Sequence, residues 1–323
     1  MYDGFYHLSR KPFQLNSDSD FFFKSEVHKR ALAYMRYGIT QGEGFIVITG
    51  RPGTGKTMLI KQLVSSINRE KVTLGLIVSS QVGADDLLRV VASTLNVPYE
   101  GDDKATILDR IERFFVEQHI KGKRVLLIVD EAQNLPKHSL EELRMLSNFE
   151  RSGKTMLQIF LVGQKQFNKT LALPEMEQLR QRVVATYQLK SLNEEQTKNY
   201  ILFRLKRAGW QHSPEFEEDA FPLIFDHSKG VPRKINTLCE RVMMFGFLDE
   251  LQTIDAAIIQ KVIDDIVEEE LIEDDDDYGK GSSKSHMRLK PSSGHIEQRV
   301  LVLENMLADI YQVLNVYHQE PKP

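Results

Sequence analysis

Eight residues, "GRPGTGKT" from Gly50 to Thr57, follow the order G-x-x-x-x-G-K-[ST]. That order suits the handling of phosphate. Glycines let the backbone curl so that successive N–H groups point inward, and a following helix turns its positive end to the same place. Lys56 would reach the β- and γ-phosphates of a nucleotide such as ATP, and the Thr57 hydroxyl would bind Mg²⁺. Gly50, Arg51, Pro52, Gly53, Thr54, Gly55 and Met58 complete the expected nucleotide-binding set. The context fits, because "FIVITG" before the loop reads as a buried strand and "GKTMLIKQLVSSI" has helical spacing. A glycine turn with a surface lysine would need neither.

A second stretch, "VLLIVDEAQNL" from Val125 to Leu135, runs through five aliphatic residues into Asp130 and Glu131. The end of a buried strand is a costly place for two charges unless something positive meets them. With the loop in view, Asp130 would hold Mg²⁺, mostly through water. Glu131 would polarise the water attacking the γ-phosphate, as general base. Mg²⁺ and Lys56 supply the positive partner. "DEAQ" also resembles the acidic box of DEAD/DEAH helicases, but those need a second RecA-like domain, and the remaining residues offer only helices.

Four more residues bear on the nucleotide. Gln164 ends the apolar run "MLQIFLVGQ" and could orient the attacking water, or simply be a strand-ending amide. Arg233 follows a Gly-Val-Pro turn at the start of a helix, from which it could reach the γ-phosphate and tie nucleotide state to the angle between two domains. In "LRQRV", Arg180 and Arg182 lie between the sheet part and the helical part of the chain, and neither has an obvious acid at helical spacing. One of them could act as an arginine finger on a neighbouring subunit's ATP; the sequence does not choose between them.

These residues need a scaffold. From Gly44, apolar strands ("FIVITG", "TLGLIVSS", "VLLIVD", "MLQIFLVG") alternate with helical patterns, which predicts an α/β fold: a parallel sheet flanked by helices. After "YQLKSL" only helical patterns follow. The expected organisation is an aromatic loop and helix packing on the core (1–43), a P-loop α/β domain (44–190), a helical lid (191–267), an acidic then Gly/Ser-rich linker (268–294), and an amphipathic helix (295–318). In the last, Ile296, Val300, Leu303, Leu307, Ile310, Leu314 and Tyr317 form a seam of about three heptads. That helix could dock back on its own domain, self-associate or bind a partner.

Composition sets the outer limits. At 323 residues and 41% hydrophobic the chain can bury a core larger than one small domain needs. Its single cysteine, Cys239, leaves no disulfide framework and no cysteine metal site. No apolar run approaches the roughly 18 to 20 residues of a membrane-spanning helix. "MYDGFYHLSRKPF" lacks the apolar centre of a secretory signal. The expected place is the cytoplasm, or the inner membrane through a partner. Residues 264–277 carry ten acids and no base, so the net charge of −4 turns positive once they are left out. That basic excess is spread out; DNA binding is permitted and not indicated.

Taken together, the P-loop, "LLIVDEAQ", Gln164, "LRQRV" and "GVPRKIN" resemble the AAA+ ATPases. "FYHLSRKPFQL", "DFFFKSEVHKRALAYMRYGI", "GEGFIVITGRPGTGKT", "DEAQNL" and "LVGQKQF" are similar to the ExeA/GspA/MshM group of bacterial secretion and pilus ATPases, in particular to its shorter branch associated with exosortase/PEP-CTERM and exopolysaccharide clusters. The resemblance spans about residues 1–267. It implies Gln164 as sensor 1, Arg233 as sensor 2, Arg180 or Arg182 as finger, and the "KPFQL" loop with the helix from Ser25 near the adenine. Arg51 and Pro52 depart from the "EVGTGKT" usual in relatives. The implied function is an ATP-driven motor or switch for envelope export, homo-oligomeric, with an export or polysaccharide-assembly partner that could bind at 295–318. A DNA-associated regulator of the TniB type, and a nucleotide-gated interaction module with little turnover, are the alternatives.

Overall fold

A computed structural model describes residues 2–16, 18–78, 83–101, 103–151 and 153–277. Five strands, β1 (Phe45–Gly50), β2 (Val72–Val78), β3 (Arg124–Asp130), β4 (Leu157–Gln164) and β5 (Val183–Leu189), form one sheet in the order β2-β3-β4-β1-β5. Every pairing is parallel, and Gly50 lies in register with Gln164 on one side and Leu189 on the other. In this order β4 runs between β1 and β3, so the phosphate loop, Gln164 and Asp130 all leave the same edge of the sheet.

Successive strand residues point to opposite faces, and each face has its own core. Phe45, Val47, Leu127, Val129 and Leu161 pack against helices α3 (Ala84–Thr94), α4 (Lys104–Ile120) and α5 (Lys137–Leu146). Their neighbours Ile46, Ile48, Leu126, Ile128 and Phe160 face α1 (Glu26–Gln41) and α2 (Lys56–Ser66). Burial on both sides explains why the inner strands read as continuous apolar runs. β5 alternates half-buried and exposed positions along an edge, and only its end stands out in the sequence, at "YQLKSL".

Beyond the sheet come α6 (Glu194–Arg207), α7 (Ala220–Ser228), α8 (Pro232–Leu248) and α9 (Ala256–Asp277). Asn193 and Gln196 form a capping box at the start of α6, and Pro232 sits in the first turn of α8, where its missing N–H costs nothing. Three expectations need correction. This part is not all helix: Glu215–Phe216 and Thr253–Ile254 form a parallel two-residue pair, too short to leave a periodic signal. The acidic run does not stop the last helix near Val267; no glycine or proline interrupts Ala256–Asp277, and the helix continues through it. The N-terminal segment divides its packing, with Tyr2, Tyr6, Leu8, Phe13 and Phe21 joining the core of α6–α9 while α1 covers the sheet. The linker beyond 277 and the heptad segment 295–318 lie outside the described residues.

Candidate active site

The loop after β1 is shaped by two left-handed glycines, Gly53 (φ +78°) and Gly55 (φ +93°), the latter opening α2. Thr54 is buried and closes the turn by donating its hydroxyl to the Arg51 carbonyl at 2.8 Å. Lys56, 5% exposed, donates to the carbonyls of Gly50 (3.4 Å) and Arg51 (3.3 Å). Burial pushes its ammonium below the ordinary lysine value, while Glu131 and Asp130 pull the other way. A buried ammonium resting on two long carbonyl contacts is ready to exchange them for phosphate oxygens.

Across from the loop, Thr57 Oγ1 donates to Asp130 Oδ2 at 2.9 Å. Asp130 is 3% exposed; burial raises its carboxyl above the ordinary value, and the Thr57 hydroxyl and Glu131 N–H partly offset this. Among the described residues no three His, Cys, Asp or Glu side chains gather to hold a metal alone. One carboxylate beside one hydroxyl, both hard oxygen donors, fits a Mg²⁺ that brings phosphate and water with it. There it would neutralise charge on the β- and γ-phosphates.

Glu131 lies at the same strand end in the left-handed region, φ +52°, with its N–H donated to Asp130 Oδ1 at 2.9 Å. Gln164 approaches it, Nε2 to Oε2 at 3.5 Å. The structure therefore gathers Lys56, Thr57, Asp130, Glu131 and Gln164 at one mouth. Gln133 belongs with them, bridging Glu131 and the backbone of Gln164; it stood inside "DEAQ", where nothing but its position hinted at a role.

The mouth opens into a cleft of about 400 Å³, lined by Pro52–Met58, Glu131, Gln164, the N-terminal segment and the helices after the sheet. Gly50 and Arg51 do not line it; their carbonyls serve Lys56. Leu15, Phe22 and Phe23 from the segment before α1 make an apolar wall, with Asn16 beside it. His28 on α1 anchors that wall to the loop, with Nε2 3.2 Å from the Thr54 carbonyl and Nδ1 2.7 Å from Ser25 Oγ. A carbonyl only accepts, so Nε2 carries the proton and Nδ1 takes the serine hydroxyl. Burial lowers the ring's pKa to about 4. A lone histidine on the buried face of an amphipathic helix was the available clue.

Arg233 reaches the cleft from the first turn of α8, its backbone N–H donated to Gly53 O at 3.2 Å. Its neighbour Asn236 and, on α6, Tyr200 and Arg204 complete that wall. Arg180 and Arg182 are elsewhere. Arg180 donates to the Leu171 carbonyl and Arg182 to that of Ser147. Both precede β5, whose first residue pairs with Phe45, the start of β1. They thus sit at the opposite edge of the sheet from Gly50, about 17 Å of strand away. Neither contributes to the cleft of its own chain.

Residues 39–171 match the family model described as an AAA domain. General secretion pathway protein A of Aeromonas hydrophila is 35% identical over 248 residues, covering 76% of this chain and 45% of that protein. The chain thus spans less than half the length of this curated relative. Among solved structures, the ORC2 protein of Aeropyrum pernix aligns with a TM-score of 0.59 at 15% identity, over 79% of this chain and 71% of that one. Drosophila ORC bound to DNA gives 0.58 at 14%, over 80% and 67%. The Thermotoga maritima RuvB branch migration motor gives 0.50 at 18%, over 79% and 73%. At these identities the structural likeness is one of fold.

Proposed function

The chain belongs to the AAA+ ATPases of the general secretion pathway protein A type, and we propose that it binds ATP with Mg²⁺ and hydrolyses it at the β1/β3/β4 mouth. The observation that carries this reading is the contact of Thr57 with Asp130, residues 73 positions apart, beside Glu131 at the same strand end. Lys56 and the loop N–H groups hold the phosphates, and Thr57 and Asp130 hold the metal. Glu131 accepts the proton of the attacking water while Gln164 steadies it. The apolar wall of Leu15, Phe22 and Phe23 suits a nucleoside base. Arg233, carried by α8, meets the γ-phosphate.

Residues 191–267 then act as a lid whose angle follows the nucleotide. Because Arg180 and Arg182 face away from their own cleft, one of them serves as a finger on a second copy, and turnover needs an oligomer. The motion works on a protein partner in envelope export or polysaccharide assembly; the relation to general secretion pathway protein A supports the export reading.

Hydrolysis per subunit, followed over a wide protein concentration range in wild type and Glu131→Gln, tests this. Specific activity that climbs with concentration, and a variant that binds ATP without cleaving it, are the expected results. Equal turnover in the two proteins would overturn the assignment of Glu131. Turnover independent of concentration would remove the finger.

A further inference from the structure

Hydrolysis at this mouth requires a carboxylate held in one place, yet Glu131 sits half-buried on a short turn just past the strand end. What holds it is an amide. Gln133 lies in the 3-10 turn Ala132–Asn134, and both ends of its side chain are engaged. Oε1 accepts the backbone N–H of Gln164 at 2.8 Å. Nε2 donates to Glu131 Oε2 at 2.6 Å and to Asn134 Oδ1 at 3.3 Å. The amide cannot be turned round, because a backbone N–H only donates and a carboxylate only accepts.

The surroundings are built for this bridge. Gly163 carries no side chain where a Cβ would lie 2.9 Å from Gln133 Oε1 and 3.4 Å from its backbone nitrogen. Glu131 adopts a left-handed conformation that a side chain rarely takes, and such conformations persist only where neighbours over-determine them. Gln164 is the other amide within reach, but its 3.5 Å contact is at the limit of a hydrogen bond, whereas that of Gln133 is short and charge-assisted.

We infer, resting on the ATP hydrolysis proposed above, that Gln133 is the positioning residue for the general base. It pins Oε2 of Glu131 to the end of β4. Both amides meet that one oxygen, and among the described residues nothing donates to Oε1, which stays open to water. In the reaction the water oxygen bonds to the γ-phosphorus and its proton passes to Glu131 Oε1. The bond between the γ-phosphorus and the β–γ bridging oxygen breaks, leaving ADP and phosphate. Gln133 exchanges no proton. It fixes where the base stands and ties that place to the strand that carries Gln164.

Two variants of the full chain test this. Gln133→Leu removes both contacts at similar size; Gln133→Glu keeps an acceptor for the Gln164 N–H and loses the donor to Glu131. With thermal unfolding as a check on folding, kcat should fall about a hundredfold in both, the cost of displacing a reacting group by about an ångström. KM, and the affinity for a non-hydrolysable ATP analogue, should stay within about twofold. Wild-type kcat in Gln133→Leu overturns the inference, and so does a parallel fall of kcat and affinity, which would make Gln133 a general prop of the site. A second readout does not depend on turnover: the side-chain amide proton of Gln133 that faces Glu131, observed by ¹H–¹⁵N NMR, should shift on Glu131→Ala. If wild type hydrolyses nothing at any concentration, the ATPase reading fails on its own, and this signal decides. A resonance that moves upholds the bridge, and one that stays still overturns it.

Discussion

The backbone N–H of Arg233 meets the carbonyl of Gly53 at 3.2 Å, so α8 begins directly on the tip of the phosphate loop. The approach is close enough that a Cβ on Gly53 would lie 2.6 Å from Arg233 Cβ, at a φ of +78°. Gly53→Ala must therefore bend the loop or push α8 away, on top of a backbone penalty of about 1–2 kcal/mol. ATP affinity measured by calorimetry should fall about tenfold or more. Arg233→Ala leaves the backbone contact in place and removes only the guanidinium. It should bind ATP nearly as wild type and turn it over more slowly. Equal affinity losses in the two variants would mean that the side chain, rather than the close approach, joins the lid to the loop.

Thr57 offers a separate test of the metal. Thr57→Val keeps the shape and removes the hydroxyl that faces Asp130. Wild type should bind ATP more tightly with Mg²⁺ than in EDTA, and EDTA should abolish turnover. In Thr57→Val the EDTA affinity should be unchanged while the gain from Mg²⁺ largely disappears. If Mg²⁺ still tightens binding to the same extent, the hydroxyl has no part in holding it.

His28 makes stability depend on pH in a stated direction. Its pKa drops from 6.5 to about 4 on folding, because burial disfavours the charged ring. Above pH 6.5 the ring is neutral in both states and costs nothing. Between 6.5 and 4 the unfolded chain takes up a proton that the folded one refuses. Stability then falls by about 1.4 kcal/mol per pH unit, about 3 kcal/mol in all, and levels off below pH 4. His28→Gln removes this contribution and leaves the carboxylates as they were. Urea unfolding between pH 7.5 and 5 should show a shallower loss in the variant. Parallel lines for the two proteins would refute a buried, neutral His28.

The residues that meet at the mouth could be read from the chain because its parts are local. Gly50–Thr57 is contiguous, and Asp130 and Glu131 end an apolar run that only a two-sided sheet explains. The order β2-β3-β4-β1-β5 brings Gln164 between them, and alternation of strands and helices allowed that without fixing it. What stayed hidden depends on long-range pairing. Arg204 looks like any arginine in an amphipathic helix until Pro12 and Gln14, some 190 positions away, return to it. Gln133 acts through a backbone N–H, which leaves no mark in composition. The places of Arg180 and Arg182 follow from strand direction: a chain that leaves the sheet at Gln164 must start its next parallel strand, β5, from the far edge.

Arg204 carries the last prediction. It is 5% exposed, and its guanidinium donates to the Pro12 carbonyl, to the Tyr200 hydroxyl at 2.9 Å and to the Gln14 carbonyl at 3.2 Å. The Phe21 ring covers it at 4.8 Å. Burial pushes the Tyr200 hydroxyl above its ordinary pKa, so it remains protonated and passes the chain on to Asn236 at 2.8 Å. One planar fork thus fastens the segment that walls the cleft to α6 and α8. Lysine cannot replace it, since a single ammonium does not span acceptors on three sides. Arg204→Lys should destabilise the protein by about 2–4 kcal/mol, the cost of leaving buried carbonyls without their charged donor. It should also open the segment that carries Pro12, Gln14 and Phe21 to limited proteolysis, and ATP should restore part of the protection because the proposed nucleotide site shares that wall. A urea midpoint unchanged by the substitution, with the segment still protected, would show that apolar packing of Phe13 and Phe21 alone holds it.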